Sequence, residues 1–249
     1  MRAGSGSVSV AEAFNRLAGR YDEMWTDSAA GRGQREAVWR ETLPLFQPGE
    51  RVLDLGCGTG VDAAHLASAG LRVHAIDIAP RMVEIARQRQ NAHRITAEVL
   101  AIEDLGRLIP SDKFDGALAN FGVLNCVEDL RTLAEDLARL VRPGGRLILC
   151  PMGRFCLWET IRFLARGRPG KAFRRLRGGG VEASLGFRVF YPSVAEIAAA
   201  FAPHFRLLRF RSIGVFVPPL AALDRLFAGW PLFRSLGDHR LLVLVRTRA

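Results

Sequence analysis

Short apolar runs alternate with amphipathic stretches along the chain, the order of strand and helix expected of an α/β sheet. Residues 51–55 carry Val52, Leu53 and Leu55, the density of apolar side chains that a parallel strand buried on both faces needs, and residues 61–68 are helix formers. Similar runs at 71–77, 95–100, 114–120 and 146–150 read as the second to fifth strands, and 205–210 and 240–246 as the last two, seven in all. Helices are predicted from Pro80 at its tolerated first position, over 129–141 and over 193–201 with Ser193 as N-cap. Arg142-Pro143-Gly144-Gly145 reads as a helix stop and turn before the fifth strand. Ahead of the first strand, residues 8–45 are helical and broken. Residues 153–192 and 214–239 interrupt the alternation.

Gly56, Gly58 and Gly60 follow the first strand at once, giving a turn open to positive φ and to close ligand approach. Strand, glycine turn and helix together place a ligand crevice at the strand's carboxyl end. A dinucleotide fingerprint would need its third glycine where Val61 stands. The spacing is Gly-x-Gly-x-Gly instead, with Asp54 inside the strand. This resembles motif I of the class I S-adenosylmethionine (SAM) dependent methyltransferases, hydrophobic-Asp-hydrophobic-Gly-x-Gly-x-Gly. The resemblance implies an α/β, Rossmann-like, seven-stranded mostly parallel sheet with helices on both faces, an N-terminal helical cap and an insert after the fifth strand. It also implies SAM as cofactor, S-adenosylhomocysteine as product, and Asp54, Gly56, Cys57, Gly58 and Gly60 in the cofactor turn.

Asp77 stands 21 residues beyond Gly56 at the end of the second strand, where an acid accepts from both ribose hydroxyls. By the resemblance, Ile78 and Met82 flank the adenine and the backbone N–H of Ile102 serves a ring nitrogen. Relatives place an aspartate for the adenine amine where this chain has Ala101; either Glu103 substitutes or the amine meets only backbone. Asn120 and Phe121 point into the crevice from the fourth strand. The spacing Phe14-x-x-x-Ala18-x-x-Tyr21-Asp22 resembles the N-terminal cap of small-molecule and quinone-biosynthesis methyltransferases, in which the tyrosine faces the methionine end of the cofactor. The competing reading makes Phe14, Tyr21 and Trp25 the apolar face of a docked helix.

A chain of 249 residues accommodates one such domain with added cover: 1–45 as cap, 46–150 as cofactor-binding core, 153–192 as a basic insert or lid, and 193–249 as the remainder of the sheet with its apolar insert. Four cysteines without a Cys-x-x-Cys pair fit reduced thiols and give no metal site. The first residues lack the apolar segment of a signal peptide, and no run of 18 apolar residues occurs, so a cytoplasmic protein, soluble or peripheral to a membrane, is expected.

Net charge is +10 and segregated: residues 1–150 hold 18 basic and 20 acidic side chains, residues 151–249 hold 17 and 5. The first insert contributes nine of the basic ones, interleaved with Trp158, Ile161 and Leu164. It reads either as a basic amphipathic helix that lies on membranes or grips anionic ligands, or as a lid whose apolar stripe packs on the domain. Arg162, Arg166, Arg174 and Arg175 are expected to act as one patch. The second insert, rich in Phe, Leu and Pro, would line a hydrophobic substrate cavity or plug the core.

Substrate candidates are Trp25, Phe121, Trp158, Arg162, Arg188 and Tyr191, and the acid–base candidates are Tyr21, Tyr191 and His239. The expected activity is methyl transfer to a small or amphipathic metabolite, anionic or neutral. A lipid or polyisoprenoid headgroup methyltransferase working at an anionic membrane surface is the nearest alternative, and an RNA-binding or RNA-modifying protein is another. Against nucleic acid, Asn120-Phe121-Gly122-Val123 lacks the prolines of base methyltransferases and no RNA-binding module is recognisable.

Overall fold

The fold is that of a computed structural model, which describes residues 9–110, 112–177, 180–182, 185–216 and 223–248. The strands are β1 (Arg51–Leu55), β2 (Arg72–Asp77), β3 (Ile95–Val99), β4 (Phe114–Ala119), β5 (Val141–Leu149), β6 (Val181–Glu182), β7 (Arg188–Val189), β8 (Phe205–Ile213) and β9 (His239–Arg246). Seven of them form one sheet in the order β3-β2-β1-β4-β5-β9-β8, and β6 pairs with β7 in a separate ribbon. The first five are parallel, β9 is antiparallel to β5, and β8 is antiparallel to β9. This is the Rossmann-like sheet expected from the sequence.

The helices are α1 (Val10–Leu17), α2 (Ala29–Thr42), α3 (Val61–Ser68), α4 (Pro80–Arg87), α5 (Leu130–Leu140), α6 (Leu157–Leu164), α7 (Pro169–Ala172), α8 (Val194–Phe201) and α9 (Asp224–Phe227). Two buried clusters sandwich the sheet. Leu53, Leu55 and Phe114 meet Leu133 and Leu137 of α5 and Phe201 of α8 on one side. Val52, Val73 and Ile148 meet Val38 of α2, Leu66 of α3 and Val83 of α4 on the other. Burial on both faces is why β1 reads as an unbroken apolar run and not an alternating one. Ser9 and Ser193 open α1 and α8 with reciprocal capping boxes to Glu12 and Glu196, and Asp129 caps α5.

Four local expectations are revised. Residues 142–145 belong to β5: its pairing with β4 jumps from Phe114↔Val141 to Gly116↔Arg146, so the Pro-Gly-Gly segment is taken up as a bulge and does not end the strand. The penultimate strand runs on to Ile213. Helix α6 spans Leu157–Leu164 and its buried side chain is Thr160, while Trp158, Ile161 and Leu164 are exposed. The apolar stripe therefore faces outward and does not pack on the domain. Arg175, counted with the solvated arginines, is buried: Glu159 pairs with both it and Arg174, and Asp238 Oδ1 accepts from Arg175 at 2.8 Å. Of the second insert, residues 217–222 lie outside the described residues.

Candidate functional site

The sheet's connection reverses direction at β1, between β2 and β4, and the crevice opens beyond the carboxyl ends of these three strands. The turn leaving β1 is held by its neighbour: Cys57 N–H donates to Ile76 O at 2.9 Å, and Gly58 N–H donates to Asp77 Oδ2 at 2.9 Å. Gly58 has φ +54° and a side chain there would meet open space, so the backbone itself is what a ligand can approach. Gly60, at φ +80°, lies so near Ala86 of α4 that a side chain would collide with it.

Asp77 is 9% exposed, and its other oxygen accepts from Ala79 N–H at 2.8 Å. Each carboxylate oxygen thus takes one backbone donor and keeps an acceptor position for a ligand hydroxyl. Burial raises its pKa, and the two backbone donors oppose the rise. Asp54 is 1% exposed and its Oδ2 has no hydrogen-bond partner. Burial, then the like charge of Asp62, push its carboxyl well above the usual range, with Arg35 opposing.

Sequence reasoning missed the residues that close the crevice from the N-terminal side. Asp62, in the first turn of α3, accepts from Arg35 (2.6 Å) and Trp39 (2.7 Å) of α2 and from Asn120 Nδ2 (2.9 Å) beyond β4. Trp39 stacks on His65 at 3.6 Å, and the Arg35 guanidinium lies 4.9 Å from the Phe121 ring centre, while its Nε is buried without a partner. An acid at the start of a helix reads locally as a dipole-complementing charge; nothing nearby in sequence announces partners 23 to 58 residues away.

A second missed cluster latches the cap to the glycine turn. Asp22 accepts from Thr59 Oγ1 of the turn at 2.7 Å, from Thr26 Oγ1 at 2.9 Å and from Arg89, whose Nε also donates to Thr59 O at 2.8 Å. Tyr21 follows from this latch. It packs with Ala18, Ala79 and Met82, and burial raises its hydroxyl pKa, opposed by Arg35 and reinforced by Asp62 and Asp77.

Phe121 occupies a left-handed conformation (φ +47°), uncommon for a bulky residue, held by its N–H donating to Asn120 Oδ1 at 3.0 Å. Its far side meets His239 edge-on at 5.2 Å. His239 is buried, its Nδ1 is unpaired and lies 3.6 Å from Asp238, and burial lowers its pKa, with Asp238 opposing and Arg175 and Arg240 assisting. Arg175, which fixes Asp238, also lies 5.5 Å from the Tyr191 ring.

The structure thus brings Tyr21, Asp54, Asp77, Met82, Asn120 and Phe121 together around the β1 turn, while His239 is buried behind Phe121 and Tyr191 packs with Phe14 and Met152 against Ala13, Phe187 and Val189. Ile78 follows Asp77, and Leu100 N–H bonds Asp77 O at 3.0 Å, leading the chain through Ala101 to Ile102 and Glu103, which line a cavity of about 90 Å³ with Val127 and Leu133. Trp25 is 60% exposed, Arg162 and Arg188 are exposed, and Trp158 is 38% exposed, its indole donating to Val215 O at 2.6 Å. Among the described residues no group of His, Cys, Asp and Glu has the arrangement of a metal site, and all four cysteines are free thiols.

Residues 52–145, which carry the glycine turn, Asp77 and Phe121, match the model of a methyltransferase domain family. The chain is similar to a demethylmenaquinone methyltransferase of Clavibacter sepedonicus, with 34% identity over 143 residues that cover 57% of each chain. It is also similar to a malonyl-[acyl-carrier protein] O-methyltransferase of Serratia marcescens, 35% identical over 153 residues, 61% of this chain and 55% of the other. The chain thus spans less than two thirds of the length of these curated relatives. Its fold is similar to that of the Burkholderia thailandensis 1,6-didemethyltoxoflavin-N1-methyltransferase solved with 1,6-didemethyltoxoflavin and S-adenosylhomocysteine, with a TM-score of 0.58, 22% identity, and coverage of 95% of this chain and 86% of that one.

Proposed function

We propose that this chain, which belongs to the class I SAM-dependent methyltransferases, transfers a methyl group from SAM to a small, amphipathic acceptor. The observation that carries the reading is the unsatisfied polar pair beside the glycine turn. Asp54 Oδ2 lacks a donor and Arg35 Nε lacks an acceptor, both buried, and a zwitterionic amino-acid end supplies an ammonium for the first and a carboxylate for the second. We assign Asp77 to accept from ribose hydroxyls with the acceptor positions its backbone bonds leave free, and Tyr21 to cover this end under the Asp22 latch. Bound there, SAM supplies an already activated methyl group, so the protein's task is to position the acceptor and exclude water. His239, kept neutral by burial, is the group we assign to take a proton from an acceptor that arrives protonated.

The relatives named above, one for demethylmenaquinone and one for malonyl-[acyl-carrier protein], support an acceptor with an apolar body and an acidic or polar head. We take residues 1–45 as the cap and 153–192 as cover over the acceptor, in a protein that works at the cytoplasmic face of a membrane or free of it; among the described residues no helix is long and apolar enough to cross one. The test is incubation of the protein with methyl-labelled SAM and fractionated small-molecule and lipid extracts. Label should appear in an organic-extractable product with wild type and be lost with Asp77→Ala. Label found only in RNA would overturn the assignment of the acceptor.

A further inference from the structure

From the exposed faces of the two inserts we infer that they form a docking surface for an anionic phospholipid bilayer; the inference rests on the methyltransferase reading only for its use, delivery of an amphipathic acceptor. Fourteen large apolar side chains are exposed among the described residues, and nine of them lie in the segments 153–192 and 214–239, so the exposure belongs to the inserts and not to the sheet core.

Helix α6 is tethered by its polar side. Thr160 Oγ1 donates to Ala172 O at 3.4 Å, and Glu159 is taken up by Arg174 and Arg175. That leaves Trp158, Ile161 and Leu164, spaced three apart, 38%, 46% and 45% exposed on the outward face. The Trp158 indole bond to Val215 O and the bond from Leu157 N–H to Leu236 O (2.9 Å) join this helix to the second insert. There Phe227 packs against Trp230 (5.0 Å) and Phe233 (5.8 Å), an aromatic base from which Leu226, Trp230 and Leu232 stand 56–73% exposed.

The charge around this apolar face selects the occupant. Arg162, Arg166, Arg168 and Lys171 are exposed on α6 and just beyond it, and none has a carboxylate partner among the described residues, because the one acid of α6 is consumed internally. Tryptophan and branched aliphatic residues beside uncompensated Arg and Lys match the acyl–headgroup boundary of an anionic leaflet: the rings and aliphatics enter the boundary and the guanidinium groups stay among phosphates. Helix α6 follows β5 after seven residues, and β5 runs parallel to β4 and so ends on the same edge of the sheet as the crevice; the docked surface would then face the membrane on the side from which the acceptor enters.

The experiment is co-sedimentation of the full chain with phosphatidylcholine vesicles, with and without phosphatidylglycerol, at low and high salt, together with a calorimetric SAM titration of each protein. Wild type should bind the anionic vesicles at low salt, lose binding as salt screens the charges, and shift its tryptophan emission to the blue. Arg166→Gln/Arg168→Gln should weaken binding about 25-fold, taking about 1 kcal/mol per basic residue. Ile161→Ser/Leu164→Ser should weaken binding to both vesicle types, and all variants should keep wild-type SAM affinity. Failure of wild type to bind anionic vesicles at low salt overturns the inference while leaving the cofactor reading standing, and absent SAM binding does the reverse. Arginine-dependent binding to RNA without vesicle binding would assign the surface to nucleic acid, and a dimer dissociated by Ile161→Ser/Leu164→Ser would assign it to a second copy; either result overturns the bilayer.

Discussion

Replacing Asp54 by asparagine should stabilise the free protein and disable its cofactor site. The side chain is 1% exposed, its Oδ2 is unpaired, and its carboxyl is pushed well up by burial and by Asp62. A group whose folded pKa is raised is a liability at any pH above its unfolded value, so stability falls as pH rises from about 3.9 towards the folded value. Asparagine keeps the volume and removes the charge. Relief on the order of 1 kcal/mol should raise the Tm of the free variant by about 2–4 °C for a chain of this size. Binding should move the other way. A hydrogen bond between a carboxylate and an ammonium contributes about 1.5–3 kcal/mol, which is roughly 10- to 150-fold in Kd. Because the bound ammonium favours the ionised carboxyl, SAM binding should release a proton. Wild-type affinity should therefore rise with pH until Asp54 is already ionised, and the variant's should not. Calorimetry in two buffers of different ionisation enthalpy reads the proton directly. A variant that binds SAM as tightly as wild type, or melts lower when free, would refute the reasoning.

Three further perturbations probe the surroundings. Asp22→Ala removes the acceptor for Thr26, Thr59 and Arg89 and should cost about 1–3 kcal/mol locally, seen as faster amide exchange over residues 10–26 with the sheet unchanged; unchanged exchange would contradict the latch. His239→Gln should lower kcat about 10²–10⁴-fold. Since burial holds His239 below its ordinary value, the wild-type rate should fall only as pH drops below about 6.5, and a variant that keeps this acid limb would acquit His239. Ala101→Asp should tighten SAM binding if the adenine amine lacks an acceptor, and leave it unchanged if Glu103 already serves; weaker binding would place the segment elsewhere.

The features legible in the sequence are those whose causes are local. The β1 run, the glycine turn, Asp77 at the end of β2, Pro80 opening α4 and the Ser193 cap each follow from a few consecutive residues. The closure of the crevice was not legible, because Asp62 is buried by Arg35 and Trp39 of α2 and by Asn120 after β4, all distant in sequence. The stripe on α6 was visible as a period, but periodicity does not say which face is covered; the answer lay in Glu159 and Asp238, which draw Arg175 inward and so set the helix with its apolar side out. The bulge in β5 likewise depends on register against β4, which a Pro-Gly-Gly sequence alone presents as a turn.

The central claim is that the crevice at the β1 turn holds SAM through Asp77. Titration of SAM into wild type and into Asp77→Asn, each verified as folded by its thermal transition, tests it most directly. Asparagine keeps one acceptor for the backbone donors of Gly58 and Ala79 and loses the charge, so binding should weaken by about 1–3 kcal/mol with a native-like transition. Saturable wild-type binding that this substitution reduces about 5- to 150-fold is the predicted result; equal affinity in the two proteins, or no binding by wild type, would contradict the account.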